Sequence, residues 1–220
     1  DHFREDATFI RPGCRAGTGW AEGRMTNFLL KNPDAVFIHI HKTGGTSIRK
    51  GVWKGRQRGQ AMGHIPGDWD RSLLRFAFVR DPLSRFLSVW RMFTQGTENY
   101  PGDVLVRNPS TLTLDEFFDI VRDESIIYDH RRKTNEERIR HHAIPQTHPF
   151  NCLREARFVG RYETLAEDFA RVARHLGMQP ALPRLNTTGT QPEDPEGTLG
   201  PRLAAAVREL LSAIGEDPDS

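Results

Sequence analysis

Short apolar runs and helix-spaced apolar stripes alternate along the chain. Val36-Phe37-Ile38 with Ile40, Phe76-Ala77-Phe78-Val79 and Phe158-Val159 are brief, rich in β-branched and aromatic residues, and bounded by turn residues. That pattern suits buried strands, placed here at about 36–40, 75–79 and 156–160. Stripes at three- and four-residue spacing follow them. Leu83, Phe86, Leu87, Trp90 and Phe93 predict a helix from Pro82 to about Phe93, and Leu114, Phe117, Phe118 and Val121 predict one to about Arg122. Phe169, Val172, Ala173 and Leu176 predict a third that Gly177 stops, and Leu203, Ala206, Val207, Leu210, Leu211 and Ile214 a last one ended by Gly215. A shorter helix is expected over 48–53.

Local signals agree with these boundaries. Asn32-Pro33-Asp34 is a turn that launches the first strand. Asp81 suits an N-cap with Pro82 at the first helical position, and Thr113-x-x-Glu116 and Thr164-x-x-Glu167 both have the form of capping boxes. Residues 96–112 and 178–202 read as loops rich in proline and glycine. Residues 129–142 are charge-dense and read as a mobile loop or an exposed helix. Strands alternating with helices imply an α/β fold, a central, largely parallel sheet flanked by helices. Ligands of such sheets lie beyond the carboxyl ends of the strands, where Lys42 and Arg80 both fall.

Composition bounds the rest. With 220 residues, 37% hydrophobic and 27% charged, one globular domain over 25–220 is expected behind a polar N-terminal arm over 1–24. No run approaches the roughly 18 apolar residues of a membrane span. A whole chain of this kind would be cytoplasmic; a catalytic domain cut from a longer protein would suit the lumen of a secretory compartment. Cys14 and Cys152 have no metal-site spacing and read as free thiols, so no metal is expected. The net charge of +2 names no partner, but Arg49, Lys50, Lys54, Arg56 and Arg58 crowd ten positions after the first strand. They form either a solvated basic face or a surface for an anionic substrate.

The chemistry concentrates at two places. His41-Lys42-Thr43-Gly44-Gly45-Thr46-Ser47 joins the first strand to the first helix. Its glycines allow close backbone approach, the helix start presents unpaired N–H groups, and Lys42 adds a cation, which together make an anion site. In a Walker loop the lysine follows the glycines; here it precedes them. The second place is Arg80-Asp81-Pro82-Leu83-Ser84-Arg85-Phe86-Leu87-Ser88-Val89-Trp90. An arginine at a strand end can clamp a phosphate, and a serine two turns into the next helix can add a hydroxyl.

Together these stretches resemble the 5′-phosphosulfate loop and the 3′-phosphate motif, R-D-P-x-x-R-x-x-S-x-W, of sulfotransferases that use 3′-phosphoadenosine 5′-phosphosulfate (PAPS). Phe158-Val159-Gly160-Arg161-Tyr162-Glu163, with Leu165 and Asp168, and Pro145-Gln146 are similar to the heparan and chondroitin branch, extending the likeness over 35 to about 190. One departure is His41, where the family often has proline. The resemblance implies that Lys42, Thr43, Gly44, Gly45, Thr46 and Ser47 cradle the 5′-phosphosulfate. It places Arg80 and Ser88 on the 3′-phosphate and implies 3′-phosphoadenosine 5′-phosphate as the nucleotide product.

In-line sulfuryl transfer needs an acceptor hydroxyl relieved of its proton and a charge at the departing oxygen, which is the expected task of Lys42. Histidine has the pKa for the base. His64, in a Gly-His-Ile-Pro loop, resembles the catalytic histidine of glycan 2-O- and 6-O-sulfotransferases, with His141 and His142 next and His39 and His41 read as packed residues. The acceptor expected first is a carbohydrate hydroxyl, on an anionic glycan or a small molecule, and no nucleic acid is expected. Two other classes stay open: a small-molecule kinase, and a basic module binding glycan or nucleic acid through 49–58 and 131–142. Asn186-Thr187-Thr188-Gly189-Thr190 is either a cover for the nucleotide or a linker.

Overall fold

The computed structural model describes residues 27–30, 34–53, 60–62, 72–95, 112–126, 134–148, 151–182 and 194–212. The N-terminal arm, His64 and the 186–190 loop lie outside them. Two compact units account for the chain, one formed by 1–79 with 146–183 and the other by 80–145 with 184–220.

The first unit holds the sheet. Its strands are β1 (Asn27–Leu30), β2 (Ala35–Ile38), β3 (Gln60–Met62), β4 (Leu74–Val79) and β5 (Phe158–Arg161), in the order β3-β1-β2-β4-β5. β2, β4 and β5 run parallel, with Phe37 opposite Phe76 and Phe76 opposite Phe158. Those are the three strands the apolar runs predict. β1 and β3 extend the sheet beyond β2, and β1 is antiparallel to both neighbours. Neither was expected: four- and three-residue strands carry too little alternation to stand out, and partners distant in the chain define them. β2 and β4 are adjacent and parallel, so their carboxyl ends lie side by side.

Period-two alternation sorts the two sheet faces. Phe28, Ala35, Phe37, Leu74, Phe76, Phe78 and Phe158 share one, packed against Ile48 and Val52 of helix α1 (Gly45–Trp53) and Phe169, Val172 and Ala173 of a later helix, α5 (Leu165–His175). Val36, Ile38 and Ala77 face the other way onto the buried Cys152, beside a 3₁₀ turn at Leu153–Glu155. The Thr164 capping box is not formed. Instead the Thr164 hydroxyl donates to Asp168 Oδ2 at 2.8 Å, and the same oxygen accepts from the Arg161 N–H at 2.8 Å. A buried carboxylate one turn into α5 outcompetes Glu167, because it ties the helix to the end of β5 at the same time.

The second unit is helical: α2 (Pro82–Gln95), α3 (Leu114–Arg122), α4 (Asn135–Ala143), α6 (Pro195–Leu199) and α7 (Pro201–Ser212). α2 packs on α4 and α7, and α3 on α4. Leu83, Phe86, Leu87, Phe93, Phe117, Ile139, Ala204 and Val207 make the core. α2 begins as its sequence predicts, with Asp81 Oδ1 accepting from the Ser84 N–H at 2.8 Å, and the Thr113–Glu116 capping box is complete. α4 corrects the expectation of a mobile loop or exposed helix. It has its own Thr134–Glu137 capping box and buries Ile139, Arg140, His141 and Ala143. Arg140 is spent internally, donating to the carbonyls of Val121 in α3 and of Ile126 beyond its end, so burial of this charged segment is paired burial. The short helix α6 falls inside the stretch read as loop.

Candidate active site

In the first unit, the loop after β2 is built largely from backbone. Lys42 and Gly44 both adopt left-handed conformations, at φ 68° and 83°. Glycine takes that region freely, whereas a lysine there must be held by its surroundings. The Thr43 hydroxyl donates to the Ile40 carbonyl at 2.9 Å and is fully buried, which fastens the loop to the strand end. α1 starts at Gly45, three residues earlier than its apolar spacing suggests, and the Ile48 N–H closes its first turn on the Gly44 carbonyl at 3.1 Å. The opening N–H groups of α1 therefore belong to Gly45, Thr46 and Ser47, three of the six residues the motif nominates. Thr43 and Ser47 are buried, and Lys42, Gly44 and Thr46 are partly exposed.

His39 supports this loop from beneath. Its N–H donates to Asn27 Oδ1 at 3.1 Å, and its ring lies among Phe28, Phe37 and His41. A Cβ added at Gly45 would coincide with the His39 imidazole, so the second glycine is required by close packing. A Cβ at Gly44 would come within 2.8 Å of Leu165 Cδ2, besides the strain of its φ. Desolvation, and secondarily the charge of Arg49, pushes the His39 pKa down to about 3, which keeps the ring neutral and fits a packed residue. Arg49 itself lies over the Phe28 ring at 4.5 Å, so one of the five clustered cations is a packing element of the sheet.

In the second unit, the site is made of side chains. Arg80 and Ser88 are buried, and Arg85, at 1% exposure, is the largest fully buried side chain among the described residues. Burial first, and the neighbouring Arg80 charge second, pushes the Arg85 pKa down to about 9, which still leaves it charged at neutral pH. Its Nη2 donates to the His142 carbonyl at 2.9 Å. Two adjacent buried guanidiniums with a serine on the same helix form an environment suited to an anion.

His142 sits in the last turn of α4. Its Nδ1 lies 2.8 Å from the Arg138 carbonyl, and its ring meets Phe93 and His141 edge-on, each with centroids 5.4 Å away. A carbonyl partner calls for a proton on Nδ1, which makes Nε2 the basic nitrogen. His141, by contrast, is buried.

A model of the sulfotransferase family matches residues 60–199. The chain belongs to the sulfotransferase family. Neither a curated protein nor a solved structure matches it. The matched segment contains Arg80, Arg85, Ser88 and His142 and begins after the Lys42 loop. The sulfotransferase is thus a transferase with an α/β fold, and among the described residues no helix is long and apolar enough to cross a membrane.

His39 is packed as its sequence position suggests, but its place against Gly45 was not expected, nor was the burial of Arg85. The supporting role of His39 leaves only a faint trace in sequence, a His-x-His at the end of a strand before paired glycines. The burial of Arg85 leaves none: α2 also carries Ser84, Ser88, Arg91 and Thr94, and only the structure shows Arg85 to Val89 buried as an unbroken run.

Proposed function

We propose that this sulfotransferase takes its sulfuryl group from PAPS and transfers it to a hydroxyl, that of a carbohydrate first. The observation that carries the donor assignment is the loop from Lys42 to Ser47: two left-handed residues, a buried threonine anchor and the opening N–H groups of α1, all suited to an anionic tetrahedral group. Arg80 and Ser88 fit a second phosphate, and a donor with phosphates at both the 3′ and 5′ positions needs two such sites.

When bound, PAPS supplies a sulfuryl group already joined to a phosphate that can leave. Lys42 neutralises charge on the bridging oxygen as the S–O bond breaks. A histidine takes the proton of the acceptor hydroxyl as its oxygen bonds to sulfur. Arg80 and Ser88 would hold the 3′-phosphate by charge and hydroxyl contacts. His64 is the base that sequence suggests. A second assignment, His142, is supported by its Nδ1 contact with the Arg138 carbonyl, which orients the ring and selects Nε2 as acceptor. The likeness of 158–168 to the glycan branch supports a carbohydrate acceptor.

Transfer of labelled sulfate from PAPS to a panel of glycans, phenols and small alcohols tests the proposal, with label expected on a glycan. Strict magnesium-dependent hydrolysis of ATP with no transfer from PAPS would establish the kinase alternative. Salt-sensitive glycan or nucleic-acid binding that survives Lys42→Ala, with no transfer, would establish the binding module.

A further inference from the structure

Helix α2 carries more than a phosphate clamp. Arg80 stands just ahead of it and Ser88 two turns in, while Arg85 and Phe93 hold a single residue of α4. Arg85 donates to the backbone carbonyl of His142 at 2.9 Å, and the Phe93 ring meets its imidazole edge-on. That carbonyl belongs to the last turn of α4, where no following helical N–H is available to it. A fully buried guanidinium is a demanding partner there, since a charged donor to a carbonyl makes a short, directional bond. A further tie on His142 comes from its own helix, through Nδ1 and the Arg138 carbonyl.

We infer that Arg85 is a positioning residue that sets the place of His142 from the helix that binds the anion, so that occupation of Arg80 and Ser88 tightens the end of α4. The coupling has a simple origin. Arg80 and Arg85 are neighbouring cations in a buried setting, and an anion arriving at Arg80 offsets their repulsion, strengthening the hold of Arg85 on the His142 carbonyl. The inference rests on the assignment of His142 as base for its kinetic consequence, and on anion binding at Arg80 for its coupling.

Two measurements test it. In the unaltered protein, saturating 3′-phosphoadenosine 5′-phosphate should slow hydrogen exchange of the Ile144 amide, which closes the last turn of α4 on the Arg140 carbonyl. Slowing of roughly threefold or more is expected if local opening is suppressed. Binding of the nucleotide with no change at Ile144 would overturn the coupling; failure of the nucleotide to bind would overturn the PAPS reading instead. In steady-state transfer, Arg85→Gln should lower kcat about 10- to 100-fold, the scale of a small misplacement. Arg85→Lys, which keeps the charge and one donor, should recover most of that loss. If Arg85→Gln does not fold, the exchange measurement and Arg85→Lys decide, a lysine variant that folds but is as impaired as His142→Ala overturning the role. Normal turnover in His142→Ala would remove the underlying assignment, and normal turnover in Arg85→Gln beside an inactive His142→Ala would remove Arg85 alone.

Discussion

The Lys42 loop and the start of α2, the two proposed anion sites, are built on opposite principles. The loop uses backbone: its conformation is set by two left-handed residues, by Thr43 on the Ile40 carbonyl and by a glycine that leaves room for His39. The α2 site uses side chains: Arg80 and Ser88 are buried on a helix whose path is regular and capped in an ordinary way by Asp81. A backbone site depends on what is absent, namely Cβ atoms, whereas a side-chain site depends on what is present. Mutations should therefore fail differently at the two places.

The largest effect is expected where the loop does use a side chain. Lys42→Ala should lower kcat about 100- to 1000-fold, the cost of removing one preorganised charge partner from a transition state, with nucleotide affinity changed much less. A larger effect on affinity than on kcat would make Lys42 a ground-state clamp like Arg80 and erase the contrast. Arg80→Ala should weaken binding of 3′-phosphoadenosine 5′-phosphate by about 10- to 100-fold, as expected for losing a charged hydrogen bond. Calorimetric titration showing intact affinity would dismiss it as the 3′-phosphate residue.

Gly45→Ala adds a single methyl group yet should cost about 1–3 kcal/mol of stability, because the His39 ring must leave its place. The same change at exposed Gly177, where no atom lies within 4 Å of the added Cβ, should cost only the strain of its positive φ. Chemical denaturation of the two variants compares crowding with strain directly.

The last effect concerns pH. The His39 pKa in the folded protein, about 3, lies below its ordinary 6.5, so between these values the unfolded chain binds more protons. This contribution is whole above about pH 6.5 and is lost as pH falls toward 3. His39→Gln should thus show a shallower fall in thermal stability over that window than the unaltered protein, and identical acid limbs would mean that His39 is solvated beneath the loop. Arg85 differs in kind: its depressed pKa, about 9, lies above neutrality, so its own titration leaves the α2 site charged throughout this range.

Legibility in the sequence followed the range of the forces involved. The three parallel strands and most helix starts could be read because each depends on neighbours within a few residues, a run of β-branched residues or a cap, and the two proposed anion sites were nominated from equally local patterns. β1 and β3 could not, since a strand of three or four residues exists only through its partner. α4 was misjudged for a related reason. Its charges look solvated until the structure shows Arg140 turned inward onto two carbonyls of α3 and its neighbour, and His142 held by an arginine 57 positions away in sequence.

By itself, then, the sequence determined the local chemistry of this sulfotransferase: an α/β chain with a lysine-first glycine loop and an arginine–serine helix. The tertiary structure alone decided which of those residues carry load. It put His39 under Gly45, made Arg85 a buried link to His142 and took Arg140 out of contention for substrate, because burial and hydrogen-bond partners are properties of the packed chain, and no residue's neighbours in sequence reveal them.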